Sequence, residues 1–260
     1  MLECVINVSE GRNHVILDAL VHSCENDLLD IHSDPDHNRS VFTMVGVDAP
    51  RALARTAVSA LSLHDHSGVH PRIGVVDVVP FVPLVDSTMH DARVARDEFA
   101  TWATAELNVP CFLYGAERTL PDIRKDAWTS LMPSAGIHSP HPTAGAMCVG
   151  VREPLVAYNL WLENVDLATT RRIASSVRTA NIRTLGLQVG AFTQVSVNLI
   201  QPMITGPNDV FYAVSQQATV HHAELVGLLP ASVLATIPRA RWEDLDLSVE
   251  QTIEWRVTNR

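Results

Sequence analysis

The sequence predicts an α/β chain of the α+β kind, built as two subdomains, each a βαββαβ-type mixed sheet covered by helices on one face. Three observations predict it. The order β-α-β-β-α-β can be read twice along the chain, without obvious identity between the copies. The length of 260 residues suits one or two domains. A composition that is 47 % hydrophobic and 18 % charged supplies enough apolar material for a sizeable core and excludes disorder as the main state.

The first copy opens with an apolar strand over Glu3–Val8, followed by a turn at Ser9-Glu10-Gly11. Val15, Ile16, Ala19 and Leu20 then recur at helical spacing, which predicts a helix within Asn13–Asn26. Leu28–His32 reads as a second strand, Asp34-Pro35-Asp36 as a turn, and the β-branched and aromatic run Ser40–Val47 as a third strand. Asp48 caps a helix that runs to about Leu63, with Pro50 in its first turn. A polar loop, His64 to Arg72, leads into the apolar strand Val75–Val82. Thr88 and Asp91 stand at capping-box spacing at the head of a further helix reaching Leu107, and Val109–Tyr114 is another strand. Residues 115–143, rich in Pro, Ser, Gly and His, predict a long loop, and Ala144–Gly150 a strand beyond it.

In the second copy, Pro154–Trp161 is a strand and Asp166–Ala180 a helix. Thr184–Val189 and Phe192–Ile200 form a hairpin around Gly190-Ala191. Thr205–Ala223 is a helix opened by Gly206-Pro207, which leaves His221-His222 near its end as a solvated pair, and Glu224–Leu229 is the last strand.

Charge and cysteine usage narrow the partners. With 29 acids against 19 bases the chain carries −10, and it has no basic run, so nucleic acid and anionic membrane surfaces are excluded. No apolar stretch reaches the ~18 residues of a membrane span. The N-terminus lacks a basic region and a small-residue cleavage site, which predicts a cytoplasmic protein. Cys4, Cys24, Cys111 and Cys148 are widely spread and read as buried thiols, not a disulfide frame.

Three clusters carry candidate chemistry. His64, Asp65, His66 and His70 crowd one loop, where a metal site, solvated histidines and a single catalytic histidine are all open readings. The spacing matches no metal motif, so the expectation is no metal. His32, Asn38 and Arg39 surround the Asp-Pro-Asp turn as a candidate binding rim. Gln194, Ser196 and Asn198 alternate along one strand and share a face. No glycine-rich nucleotide loop or serine-hydrolase motif is present.

Several segments are similar to the glutamate formiminotransferase family. Glu3-Cys4-Val5-Ile6-Asn7-Val8-Ser9-Glu10-Gly11-Arg12 resembles the family's ECVPNFSEGR, and Asn38-Arg39-Ser40-Val41-Phe42-Thr43-Met44-Val45-Gly46 its NRTVYTFVG. The stretch Gly68-Val69-His70-Pro71-Arg72 through Asp77 to Pro83 is similar to GEHPRMGALDVCPFIP. Glu106 to Pro110, Tyr114-Gly115, Gln194 to Leu199 and Glu224 to Pro230 match shorter motifs in the same order. The resemblance is to the form without a following cyclodeaminase domain.

It implies a folate-binding homodimer with a cleft between two subdomains, divided near residue 163 into 1–163 and a shortened 164–260. It implies transfer of a formimino group from N-formimino-L-glutamate to N5 of tetrahydrofolate, the co-substrate, without a metal. Transfer to or from another amine, and a folate-binding module without turnover, are the alternatives. Attack on an amidine carbon requires one nitrogen to lose a proton and another to gain one, work suited to a histidine with a pKa near neutrality. The family's catalytic histidine corresponds to His70. An acidic residue thought to assist it corresponds to His32, which joins the catalytic set, and the Glu before the catalytic histidine is Val69 here. Asn38, Arg39, Arg72, Gln194, Ser196 and Asn198 become the substrate- and folate-binding residues by the same comparison.

Overall fold

The computed structural model describes all residues from Met1 to Arg260. The chain divides into two compact units, Met1–Glu153 and Pro154–Arg260.

In the first unit the elements are β1 (Leu2–Val8), α1 (His14–Ser23), β2 (Leu28–Asp34), β3 (Arg39–Val45), α2 (Asp48–Ala60), β4 (Val76–Pro83), α3 (Met89–Glu106), β5 (Cys111–Tyr114), α4 (Leu120–Asp126) and β6 (Met147–Val151). They build a six-stranded sheet in the order β2-β3-β1-β4-β6-β5. The β2-β3-β1-β4 part is antiparallel, while β4-β6-β5 is parallel, so the sheet is mixed.

Strand alternation separates the two faces. Cys4, Ile6, Phe42, Met44, Val79 and Phe81 point toward α1, α2 and α3 and form the main core with Leu20, Leu53 and Phe99. Asn13 caps α1 by accepting from the Val15 and Ile16 amides, and Thr88 and Asp91 close the expected capping box on α3. Asp48, expected as a cap, is instead the first residue of α2, whose N-cap is Val47.

The region 115–143 is not wholly a loop. It contains α4, opened by a second capping box between Thr119 and Asp122 with Pro121 in the first turn. Through Ile123 this helix covers Val78, Phe112, Tyr114 and Cys148 on the sheet face opposite the other three helices.

The second unit comprises β7 (Val156–Leu162), α5 (Leu167–Ser176), β8 (Ile182–Val189), β9 (Phe192–Leu199), α6 (Pro207–Ser215) and β10 (Val220–Val226), followed by the short helices α7 (Ala231–Leu234) and α8 (Ile253–Thr258). Its four strands are antiparallel throughout, in the order β10-β7-β9-β8. Tyr158, Leu160, Val195, Val197 and Leu225 pack against Ile173 of α5 and Val210 and Val214 of α6. The division into compact units falls before β7, a central strand of this second sheet.

One further expectation is corrected. α6 stops at Ser215, so His221 and His222 stand on β10, not at a helix end; the β-branched Thr219-Val220 pair favours the strand. No helix is long and apolar enough to cross a membrane.

Candidate active site

The site begins with two turns pressed together at one end of the first sheet. The turn between β2 and β3 is folded by Asp34, whose Oδ1 accepts from the backbone amides of Asp36 and His37 at 2.8 Å each. Asn38 closes it in the left-handed region at φ +48°, which asparagine tolerates better than most residues. Two glycines permit the contact with neighbouring loops. A Cβ on Gly11 would lie 2.3 Å from the Asp34 carbonyl oxygen, and one on Gly68 would lie 2.2 Å from that of His37. The Asn38 side chain then ties all three segments together. Its Oδ1 accepts from the Gly11 amide at 2.9 Å, and its Nδ2 donates to the Ser67 carbonyl at 3.0 Å.

Beneath these turns lies a buried ion network. Between Asn7, paired with Val78, and Val8, paired with Val76, the strand β4 carries one extra residue, Asp77. Such a bulge re-aims the side chain it carries. Asp77 is fully buried, and its Oδ2 accepts from Arg39 Nη1 of β3 at 2.9 Å and from Arg124 Nη2 of α4 at 2.5 Å. Its Oδ1 accepts from the Ile73 amide at 2.8 Å. Burial pushes this carboxyl up, but Arg39 and Arg124 more than offset that and hold it down at about 2. Arg39 also donates from Nε to Asn7 Oδ1 at 3.2 Å. One carboxylate therefore sits between two guanidinium groups, leaving the network net positive inside an acidic chain.

His70 stands above this network. Its Nδ1 lies 2.8 Å from the Pro71 carbonyl oxygen, its ring is 6.0 Å from that of His37, and Arg72 Nη2 donates to its carbonyl at 2.6 Å. A carbonyl only accepts, so the proton is on Nδ1 and the lone pair on Nε2. Burial, with the Arg39 cation, pushes the His70 imidazole down to about 3. The near-neutral histidine expected from the sequence is thus corrected: the half-buried His70 ring is held neutral, with its lone pair on Nε2.

His66 is engaged at both ring nitrogens, by the Asn38 carbonyl at 2.9 Å and by Arg72. His64 is exposed, and these histidines do not gather with acids or thiols into a metal-holding group.

The structure therefore brings Asn38, Arg39, Arg72 and His70 together, but not as a rim of open donors. Asn38 and Arg39 are buried and bonded internally. His32 is half-buried and lies on the same face, in a row with Val41 and Asn7, one step along from Asp34 and Arg39. Gln194, Ser196 and Asn198 belong to the second unit and do share a face of β9, grading from buried Gln194 to exposed Asn198. Beside them, Glu224 Oε2 accepts from Asn159 Nδ2 at 3.0 Å and Trp161 Nε1 at 2.8 Å, and His222 stacks on Trp161 at 5.2 Å.

Sequence reasoning missed Asp77 and Arg124 as site residues. A lone carboxylate inside the run Val75-Val76-Asp77-Val78-Val79 was a signal for the first. The Thr119, Pro121 and Asp122 helix start was a signal for the second.

Comparison with known proteins accords with the motif resemblance. Residues 1–152 match the family profile described as "Formiminotransferase domain, N-terminal subdomain". A glutamate formimidoyltransferase of Streptococcus pyogenes serotype M1 is 32 % identical over 273 residues, covering 91 % of this chain and 91 % of its own length. One of Thermoplasma acidophilum is 31 % identical over 281 residues, with 92 % and 91 % covered. A formimidoyltransferase-cyclodeaminase of Rattus norvegicus is 31 % identical over 276 residues, spanning 90 % of this chain and 51 % of the rat protein. With the family profile over residues 1–152 and these relatives along nearly its whole length, the chain belongs to the formiminotransferase family and is an enzyme of formimino transfer.

Proposed function

We propose that the enzyme moves a formimino group from N-formimino-L-glutamate to N5 of tetrahydrofolate, with His70 as the proton carrier. The observation that supports this is the His70 tautomer: Nδ1–H is held by the Pro71 carbonyl, and Nε2 is left as an acceptor. As N5 bonds to the amidine carbon, Nε2 takes its proton. As the carbon–nitrogen bond to glutamate breaks, the imidazolium returns that proton to the departing nitrogen. The products are glutamate and 5-formiminotetrahydrofolate. Burial and the Arg39 cation strengthen the imidazolium as an acid and weaken Nε2 as a base, so return of the proton is the easier step and uptake waits until bonding to the amidine carbon has made N5–H acidic.

The positive charge of the Arg39–Asp77–Arg124 network suits a donor that carries carboxylates. His32 completes the catalytic face, and Arg72 aligns the His70 loop. In the second unit Gln194, Ser196 and Asn198 are the polar row offered to substrate, beside Asn159. The same reading has the enzyme act in the cytoplasm as a homodimer, with small-molecule substrates and no metal.

Replacing His70 by Gln keeps the loop packing and removes the base. His70→Gln should lower kcat by ~10²–10⁴ with little change in tetrahydrofolate binding. Steady-state kinetics with formiminoglutamate, beside folate titration calorimetry, checks this. Turnover near the wild-type rate would remove His70 from the chemistry.

A further inference from the structure

We propose that His66 is a positioning residue: it locks Arg72, and through Arg72 the His70 loop, to the turn between β2 and β3. The inference rests on His70 being the proton carrier.

The path can be followed bond by bond. The Asn38 carbonyl accepts from His66 Nε2 at 2.9 Å, so the ring proton is on Nε2. A guanidinium has only donors, so Arg72 Nη1 must give its hydrogen to His66 Nδ1. The other nitrogen, Nη2, donates to the His70 carbonyl at 2.6 Å. On the far side of the loop Asn38 Nδ2 holds the Ser67 carbonyl at 3.0 Å, and Gly68 packs against the His37 carbonyl with no room for a Cβ. His66 is thus a link between the turn and the base, with neither ring nitrogen left for a substrate.

The link requires a neutral ring. Protonation would place a second N–H on Nδ1, facing the donor it now accepts from, and set two cations side by side. The charged groups around it are Arg72 on its own loop, Arg12 bonded to Ser67 Oγ at 3.4 Å, and Glu10 on the turn after β1. Burial, with Arg72 against Glu10 and the Asn38 carbonyl, keeps His66 below the ordinary imidazole value. The clamp therefore holds at neutral pH and opens only on the acid side of the ordinary imidazole range.

An amide offers the same acceptor and donor pair without titrating, which makes His66→Gln the informative variant. The experiment measures kcat and KM from about pH 7.5 to about pH 5 for wild type, His66→Gln, His66→Leu and His70→Gln, each first shown to be folded by thermal melting. The wild type should lose kcat several-fold on the acid side of this range. His66→Gln should keep kcat within about threefold at the upper pH and show no such loss, while His66→Leu should fall about 100-fold at every pH with KM little changed. Wild-type kcat in His66→Leu would overturn the proposal. So would an acid-side loss that persists unchanged in His66→Gln, which would assign that limb to another group, His32 first. If His66→Leu does not fold, the pH profile of His66→Gln decides alone. Full turnover in His70→Gln would instead refute the reading of His70, whatever the His66 variants do.

Discussion

The two units share one frame and use it differently. Each has four strands in the same relation, β2-β3-β1-β4 in the first and β8-β9-β7-β10 in the second, with helices on one face. On the opposite face the first unit buries an ion network, whereas the second carries a half-exposed aromatic and amide row. The bulge at the start of the fourth strand is shared, with Asp77 as the extra residue of β4 and His221 that of β10. The difference comes from the carboxylate that the first bulge carries, from the insertion between β5 and β6 that brings Arg124 on α4, and from the long loop before β4 with His66 and His70. The repeated frame is a scaffold, and the chemistry lies in departures from it.

Removing one carboxylate from each unit breaks this comparison most sharply. Asp77→Asn leaves Arg39 and Arg124 buried without their anion, and the cost should be ~3–5 kcal/mol by urea denaturation, with loss of activity. A cost below about 1 kcal/mol would show that water already screens the pair. The same network sets an acid limit. The folded Asp77 carboxyl is held at about 2, below its unfolded value, so its stabilisation is present above the unfolded value of 3.8 and is lost as pH falls from there through about 2. Melting curves of wild type and Asp77→Asn should therefore converge as pH drops through that window, and a constant gap would contradict the assignment.

A smaller effect is expected at the helix that delivers Arg124. Thr119→Ala opens the capping box and should cost ~1 kcal/mol, measured by chemical denaturation. Its effect on kcat/KM should exceed what that loss of stability explains, because α4 holds one arm of the Asp77 network. Unchanged kinetics would separate α4 from the site.

The smallest change is expected in the second unit. Glu224→Gln keeps an acceptor for Asn159 and Trp161 on a half-exposed strand face, so its stability should move by less than about 1 kcal/mol. A loss as large as that of Asp77→Asn would mean that the second sheet also depends on a buried charge.

The repeated β-α-β-β-α-β order was legible in the sequence because strands and long helices announce themselves by periodicity and caps. The Thr88–Asp91 box stands where it was read, and Asn13, read only as the start of a helical stretch, is the cap of α1. α4 was hidden because seven residues make too short a pattern amid Pro, Ser and Gly, although its capping box was present. The helix ending at Ser215 was read too long for a related reason: no glycine or proline marks its end, and Ser215-Gln216-Gln217-Ala218 leads directly into the strand-forming Thr219-Val220.

His70, Asn38, Arg39 and Arg72 were singled out by motif and lie together in the fold, while the local bonds each of them makes were not visible. Asn38 was expected to meet substrate, and its two side-chain atoms instead hold Gly11 and Ser67.

By itself the sequence determined the element order, the two helix-backed sheets, the acidic surface and the family, because these follow from local pattern and from motifs that are contiguous in the chain. Tertiary structure alone decided the charge states and the partners. Asp77, Arg39 and Arg124 come from β4, β3 and α4, and only folding brings them within hydrogen-bond distance. The same burial and the neighbouring cation that hold His70 neutral are properties of assembled space, not of residue type.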